Sequence, residues 1–369
     1  MPELNTKESP SQPECCCGPR NFEIKHFRNI QTSVKISTKS GEVEIATNNW
    51  SFNDYLGAIL VRMGFMRMNY AVKPGLYAIG KPNDTSPVFV SANYKLSFDI
   101  LRRDLSGIDG WILVIDTKGV NVWCAAGKGT FGTKEIVARV ISTGLSEIVS
   151  HRNLIVPQLG APGVSAFKVL LFSAFKVIYG PVRSADIKKF MANGMKADSK
   201  MRKINFGLRD RLTVSVLELV IALEKLIPFS IALVVVYALA AGGFSLKTGL
   251  TKSLLPLSAL LLAVLTGTVF TAGLLPYLPG KAFSIKGGIL GAIASLALII
   301  LADSQHIFSL KSLSIVLFVS SISSYLALNF TGSSTFTSLS GTKKEVRFSL
   351  PVIISVFVVS IITYFLKGA

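Results

Sequence analysis

From Leu226 onward the chain becomes a series of long apolar blocks separated by short polar loops. Nothing upstream constrains the fold as tightly. Five blocks, at about 226–243, 253–275, 285–302, 312–330 and 350–366, each approach the roughly 20 residues that a helix needs to cross a hydrocarbon core. Lipid offers no partner to backbone N–H and C=O groups, so blocks of this length are expected as helices. Residues 1–211 hold most of the acidic residues and a mixed composition. The expectation is a water-facing domain followed by an all-α, five-helix transmembrane domain at 226–369.

The water-facing part divides further. Residues 1–20 are polar and proline-rich, and read as a disordered tail. Residues 21–205 alternate strand-like and helix-like segments. The strand-like segments are IQTSVKIST, GEVEIAT, LYAIG (76–80), SPVFVSANY (86–94), GWILVI, NLIVP (153–157) and FKVIYG (175–180). WSFNDYLGAILVRMGF (50–65), LSFDILRRDLSG (96–107), KEIVARVISTGLSEIVSH (134–151) and SADIKKFMANG (184–194) read as helices. Alternation of this kind implies an α/β, Rossmann-like layered sheet that is mainly parallel. Residues 206–225 read as a connecting helix leading into the bilayer.

The formal charge of +18 raises nucleic acid as a partner, but no dense basic helix or RNA-binding signature accompanies it. Much of the excess lies in KADSKMRKINFGLRDR (196–211), just before the first span, where topology and anionic headgroups explain it better. Lys281, Lys286, Lys343, Lys344 and Arg347 fall in loops on that same side of the membrane. No apolar signal segment is evident in MPELNTKESPSQPE, so the α/β domain is expected in the cytoplasm, at the cell (inner) membrane. The spans carry almost no ionisable residue. Pro228, Pro256 and Pro351 fall near span ends, and the glycines of GGILGAIAS (287–295) suit close helix packing. Transport is therefore weakly supported.

The chain has four cysteines. Cys15, Cys16 and Cys17 are adjacent in the tail; they read as a solvated tail, as a lipidation site, or as a transient Hg(II) relay. Their spacing, with Cys124 far away, does not suit an iron–sulfur cluster in this chain. Cys124 follows the apolar run 111–115 and a turn at Asp116–Gly119, with Asn121 as a candidate N-cap and Ala125 and Ala126 favouring a helical turn. It would sit near a helix start at the carboxyl end of a strand, where open α/β sheets bind ligands. A lone cysteine is also a common buried hydrophobe. GKGTFGTK (127–134) resembles a phosphate loop, but Thr133 stands between Gly132 and Lys134, against the required order. A Cys–His hydrolase would have to use His26, His151 or His306.

The stretch NVWCAAGK at 121–128 resembles the hallmark N-[VI]-W-C-A-[AG]-G-K of the mercury-methylation corrinoid proteins, the HgcA family. SPVFVSANYKLSFDILRRDLSGIDGW, VSHRNLIVPQLGAPGVSAF and VIYGPVRSADIKKFMANGMKA are similar to that family too, so the likeness covers roughly 75–205. It is also similar to the large subunit of the corrinoid iron–sulfur protein of acetyl-CoA synthesis, which lacks the membrane tail and the cap-helix cysteine. The resemblance implies that 121–128 cap a cobalamin bound base-off, with Cys124 as cobalt's lower axial ligand. It implies further contacts from Ser91, Asn93, Ser97, Asn121, Val122, Trp123, Ala125, Ala126, Gly127, Lys128, Gly160, Ala161 and Pro162. Small residues at Ala125, Ala126 and Gly127 would admit the flat macrocycle; Trp123 packs on it or serves the core. Phe167 departs from the family, which often has histidine there. None of the three histidines follows the D-x-H-x-x-G pattern, in keeping with cysteine ligation.

The activity implied is methyl transfer from Cys-ligated methylcobalamin to Hg(II), forming methylmercury. The partners implied are a ferredoxin-like iron–sulfur protein of the HgcB type as electron donor and a methyltetrahydrofolate-linked methyl donor. A thiolate ligand enriches cobalt in electrons and favours delivery to an electrophile. The alternatives are a corrinoid methyl carrier acting on another metal, metalloid or native acceptor, and a membrane anchor or transporter with a degenerate nucleotide loop.

Overall fold

A computed structural model describes residues 24, 26–30, 32–239, 244–302, 308–331 and 339–366. The chain forms two compact units. The first runs up to Val61 and resumes over Phe65–Ile204; the second comprises Arg62–Gly64 and Asn205–Ala369.

The first unit is a mixed α/β domain. Its elements in chain order are β1 (Thr32–Thr38), β2 (Gly41–Ala46), α1 (Phe52–Arg62), β3 (Gly75–Ile79), β4 (Val88–Ala92), α2 (Lys95–Asp104), β5 (Gly110–Ile115), α3 (Val122–Lys128), α4 (Thr133–Ser142), α5 (Leu145–Ile148), β6 (Asn153–Val156), α6 (Ala166–Ser173), β7 (Lys176–Tyr179) and α7 (Ile187–Ala192). The seven strands lie in the order β1-β2-β3-β5-β4-β6-β7. β5, β4, β6 and β7 are mutually parallel, whereas β3 runs antiparallel to β5, and β1 antiparallel to β2. Every residue of β4 and β5 is buried, because helices cover both faces; this accounts for their unbroken apolar runs. One layer packs Leu113 and Ile115 with Ala125, Ile136, Val140 and Val169, and the other packs Ile112 and Val114 with Phe98, Leu101 and Phe190.

The helix expected over 134–151 is two helices. Gly144 takes a left-handed φ of 58°, which breaks the ladder between α4 and α5. Residues 158–174, given no element from sequence, form a 3₁₀ turn at Gln158–Gly163 followed by α6.

Four charges are buried where α1 meets α2. Lys95 Nζ lies 2.6 Å from both Asp54 Oδ1 and Asp99 Oδ2, and Arg102 reaches Asp54 Oδ2 and Asp99 Oδ1 at 2.8 Å. Burial by itself would raise the Asp54 carboxyl, but the Lys95 ammonium and the Ser51 amide overcome this and hold it well below the usual carboxylate range.

The second unit is helical: α8 (Leu208–Leu239), α9 (Leu246–Leu265), α10 (Thr271–Leu274), α11 (Phe283–Ala302), α12 (Leu310–Thr331) and α13 (Leu339–Phe365). Among the described residues, five helices are long and apolar enough to cross a membrane, with α9 and α10 counted together across a π turn at Thr266–Phe270. The connecting helix and the first apolar block are one 32-residue helix, α8. Pro228, Pro256 and Pro351 lie inside α8, α9 and α13, which extend beyond the apolar blocks. The glycines of α11 do serve close packing: a Cβ at Gly287 would fall 2.5 Å from Ala327 Cβ, and one at Gly291 2.9 Å from Ser320 Cα, both on α12.

Candidate functional site

At β4 the strand order reverses. The chain passes from β4 through α2 to β5 on one side, and from β5 through α3–α5 to β6 on the other. The carboxyl ends of β4, β5 and β6 therefore open onto a crevice of the kind that binds ligands in open α/β sheets. Asn93, the turn leading to α3, and the 158–163 segment follow those three strand ends.

The turn after β5 is held by Asn93, which is fully buried. Its Oδ1 accepts the backbone N–H groups of Thr117 and Gly119, both at 3.0 Å, and its Nδ2 donates to Asp116 Oδ1 at 3.1 Å. Lys118 and Gly119 have φ of 58° and 70°, and the Val120 N–H returns to the Thr117 carbonyl. Two consecutive left-handed residues define a type I′ turn; at Lys118 this strain is sustained by the buried Asn93 clamp. From that turn α3 starts in one fixed direction. Asn121 caps it, its Oδ1 accepting the Cys124 N–H at 2.9 Å, as its residue type predicts.

Seven residues of helix place two faces. Ala125 and Ala126 are buried against the sheet layer and half-buried Cys124 packs against the same core, while Trp123 and Gly127 are exposed and Lys128 is half-buried. Trp123 is 42 % exposed, which removes its reading as a core aromatic; Cys124 is half-buried. Ala125 and Ala126 thus do not admit a macrocycle. Their smallness admits the 158–163 segment, where a Cβ on Gly163 would lie 3.2 Å from Ala126 Cα and 2.1 Å from the Phe131 carbonyl oxygen. Gly160 is likewise a packing residue: it is buried, and its Cβ would fall 2.4 Å from the Phe131 ring. Ala161 and Pro162 remain at the surface. Ser91 is enclosed within β4, its hydroxyl near the Ala92 carbonyl, and Ser97 is half-buried on α2. Ser91 and Asn93 therefore shape the crevice through the backbone. Val122 is half-buried and packs on the core.

Two rival chemistries lose their geometry. The 129–132 loop joins helix α3 to helix α4, with Phe131 wholly buried, whereas a phosphate loop follows a strand. His151 precedes β6, at the amino end of the parallel strands, while Cys124 follows the carboxyl end of β5. Its Nδ1 accepts the Asn153 N–H, leaving Nε2–H to donate to the Ser86 carbonyl at 2.9 Å. It is not a base for Cys124. His306 and Cys15, Cys16 and Cys17 lie outside the described residues. Among the described residues, no group of three His, Cys, Asp or Glu side chains is placed to hold a metal ion.

The outward face of α3 has the character of a contact surface for a flat ligand. Gly127 is exposed inside a helix, and a Cβ there would meet nothing within 4 Å. No packing demand within the chain accounts for this glycine, which costs the helix about 0.5–1 kcal/mol relative to alanine. Gln158, in the adjoining segment, has a buried Oε1 with no hydrogen-bond partner. Such an orphaned acceptor costs about 1–3 kcal/mol unless a ligand or water satisfies it. Residues that sequence reading missed are Thr117, whose hydroxyl donates to the Val120 carbonyl at 2.6 Å, together with Phe131, Gln158 and Gly163. Only the glycine of GAPG carried any signal.

Residues 64–191, which include this whole site, match the family model described as CO dehydrogenase/acetyl-CoA synthase delta subunit. Among curated proteins the chain is similar to acetyl-CoA decarbonylase/synthase complex subunit gamma of Archaeoglobus fulgidus, 34 % identical over 122 residues, covering 32 % of this chain and 26 % of the relative. The Methanopyrus kandleri subunit is 37 % identical over 123 residues, with the same coverage. The Methanocaldococcus jannaschii subunit is 36 % identical over 97 residues, covering 26 % of this chain and 20 % of the relative. The chain thus spans about a fifth to a quarter of the length of these relatives.

Proposed function

We propose that the α/β unit is a corrinoid-binding methyl carrier of the kind found in the corrinoid subunits of acetyl-CoA synthesis, and that it transfers a methyl group to Hg(II). The observation that carries the reading is the placement of Cys124. It is half-buried, next to exposed Trp123 and one helical turn before exposed Gly127, in a helix that follows the carboxyl end of β5 and in the segment similar to acetyl-CoA decarbonylase/synthase subunits. When bound, the corrinoid supplies a cobalt centre that carries the methyl group, and a thiolate ligand raises its electron density.

The chain's own residues then have separate tasks. Cys124 would hold the cobalt, from a helix whose direction is set by the Asn93 clamp and the Asn121 cap. A thiol near a helix amino terminus is favoured as thiolate. Gly127 leaves room for a flat ring, and Trp123 offers an aromatic surface beside it. Ala125, Ala126, Gly160 and Gly163 keep α3 pressed on the 158–163 segment, which fixes the ligand's height. A ferredoxin-like partner would deliver electrons, a methyltetrahydrofolate-linked system would supply the methyl group, and Cys15–Cys17 would relay Hg(II). The five apolar helices would hold the unit at the cytoplasmic face of the cell membrane.

The test is the visible spectrum of the full chain reconstituted with cobalamin, wild type beside Cys124→Ala. A thiolate-to-cobalt band present only in the wild type supports the site; identical spectra, or no uptake by either protein, overturn it. Methylmercury formation by the loaded protein, with a reductant and a methyl donor, tests the acceptor separately. A Cys124-dependent band without methylmercury would keep the corrinoid site and move the acceptor to another metal, a metalloid or a native substrate. The matched acetyl-CoA decarbonylase/synthase subunits favour that second reading.

A further inference from the structure

Arg211 stands in the first turn of α8 and is 5 % exposed. Its Nε and Nη1 are buried with no hydrogen-bond partner, and among the described residues no carboxylate pairs with it. The acidic side chains of the same region are engaged elsewhere. Asp210 accepts the Gly207 N–H, and Glu345 accepts both the N–H and the hydroxyl of Ser284. Arg102, as deeply buried in the α/β unit, has two carboxylates. A buried charge without a counter-ion is strongly destabilising, so a chain that keeps one is expected to take its anion from outside.

The neighbours of Arg211 on its face of α8 belong to the helical bundle. Val214 and buried Ser215 follow it by three and four residues and so share that face. Val214 packs against a cluster of Ala272, Leu275, Phe283 and Phe330, as does Phe206 just before the helix. The cluster marks one end of the bundle, where α10 finishes, α11 begins and α12 finishes. On α8 itself, Leu212 lies against Gly273, whose Cβ would fall 3.8 Å from Leu212 Cδ2.

This end is cationic. Lys286 on α11 gives its ammonium to the Leu275 carbonyl at 2.7 Å. Lys281, in the loop before α11, is exposed, as are Lys343 and Lys344 in α13, whose Glu345 reaches the start of α11. Read as spans, α9–α10, α11 and α12 all end at this level, where a bilayer presents its headgroup phosphates. A guanidinium fork matches phosphate oxygens with two parallel N–H groups, and basic pockets between membrane helices take anionic headgroups.

We propose that Arg211 binds a phosphate group at this end of the helical unit, supplied by the headgroup of an anionic phospholipid. The proposal rests on reading the five helices as spans and is independent of the corrinoid.

The test uses the full chain in nanodiscs of phosphatidylcholine, with or without phosphatidylglycerol, or with inorganic phosphate at matched ionic strength. Phosphatidylglycerol retained on the released protein is measured by native mass spectrometry for wild type, Arg211→Met, Arg211→Lys and the exposed control Lys343→Met. Amide exchange over 208–218 in the wild type is a second readout that needs no variant. Wild type should retain phosphatidylglycerol about tenfold more tightly than Arg211→Met, with Arg211→Lys between them and Lys343→Met within about twofold of wild type. Exchange over 208–218 should slow when phosphatidylglycerol is added. Slowing by inorganic phosphate but not by the lipid would support the phosphate site with the free ion as its source. Equal retention by wild type and Arg211→Met overturns the site and leaves the spans standing. Should Arg211→Met fail to enter nanodiscs, the wild-type exchange decides: no slowing by either phosphate source overturns the site. A wild-type chain that does not enter nanodiscs at all overturns the spanning reading and the site with it.

Discussion

The two units use apolar residues for opposite purposes. In the α/β unit, β4 and β5 are buried at every position, since helices cover the sheet on both sides. In the helical unit α12 and the α9–α10 stretch reach about half that enclosure, 50 % and 44 % buried, against 6 % for α8 and 11 % for α13. Apolar sequence means core in the first case and, in the second, an outward surface of a kind compatible with lipid. Polar groups differ in the same way. The α/β unit buries charges and pairs all four of them between α1 and α2. The helical unit buries hydroxyls that bond to backbone carbonyls, some within the same helix, as Thr266 to Leu262 and Thr268 to Val264, and some across helices, as Ser323 to Gly287 and Ser314 to Ser360. One unit is held by specific ion pairs, the other by small side chains and backbone contact.

The largest effect that would break this contrast is expected at Arg102, which is fully buried. Arg102→Met leaves Asp54 and Asp99 sharing one cation, and should destabilise the α/β unit by about 3–5 kcal/mol. All three tryptophans, Trp50, Trp111 and Trp123, belong to that unit, so their fluorescence during denaturant unfolding reports it alone. A loss under about 1 kcal/mol would show that the network is not what joins α1 to α2. Acid probes the same cluster. The Asp54 carboxyl titrates below its unfolded value, near 3.9, so its contribution is complete above that pH and is lost as pH falls further below it. The stability difference between wild type and Asp54→Asn should therefore shrink below about pH 4. A constant difference down to pH 2 would mean that Asp54 is not held as a carboxylate.

A pair of glycine substitutions sharpens the comparison at smaller cost. Gly163→Ala places a methyl 2.1 Å from the Phe131 carbonyl oxygen, so backbone must move, at about 1–3 kcal/mol by the tryptophan transition. The displaced 158–163 segment should also weaken cobalamin uptake. Gly287→Ala forces α11 from α12, where its Cβ would meet Ala327 Cβ at 2.5 Å, and should leave the tryptophan transition in place while hydrogen exchange along α11 and α12 rises. Equal exchange in the two proteins would show that the α11–α12 contact carries little of the helical unit's stability.

Much of this was legible in the sequence, for reasons that differ by region. The unbroken apolar run at 111–115 announced a buried strand, and Asn121 announced the start of α3. The five apolar blocks were visible because a bilayer imposes a length. What escaped depended on contacts distant in sequence. The antiparallel placement of β3 beside β5 has no local signature. Gly144 gave no sign that it would divide α4 from α5, since a glycine inside a helical pattern is often tolerated. Ala125 and Ala126 looked like room for a ligand, and only the position of Gly163 shows them to be room for protein. The Asn93 clamp lies 23 residues from Asp116, and no spacing rule connects them.

Gly127 carries the smallest and most discriminating prediction. It lies inside α3, is exposed, does not have a left-handed φ, and has nothing within 4 Å of where a Cβ would point. Judged on the protein alone, Gly127→Ala should stabilise the α/β unit by about 0.5–1 kcal/mol, because alanine loses less backbone entropy in a helix. Judged as a surface against a flat ring, the added methyl should lower cobalamin affinity, by about tenfold for a penalty near 1.4 kcal/mol. The two signs are opposed, so one variant measured twice separates packing from binding. A rise in the tryptophan transition with weaker cobalamin uptake would mark position 127 as kept small for a ligand, unlike Gly163, where stability and uptake should fall together. A rise in stability with uptake unchanged would remove Gly127 from the site and leave Cys124 and Trp123 as its only markers on α3.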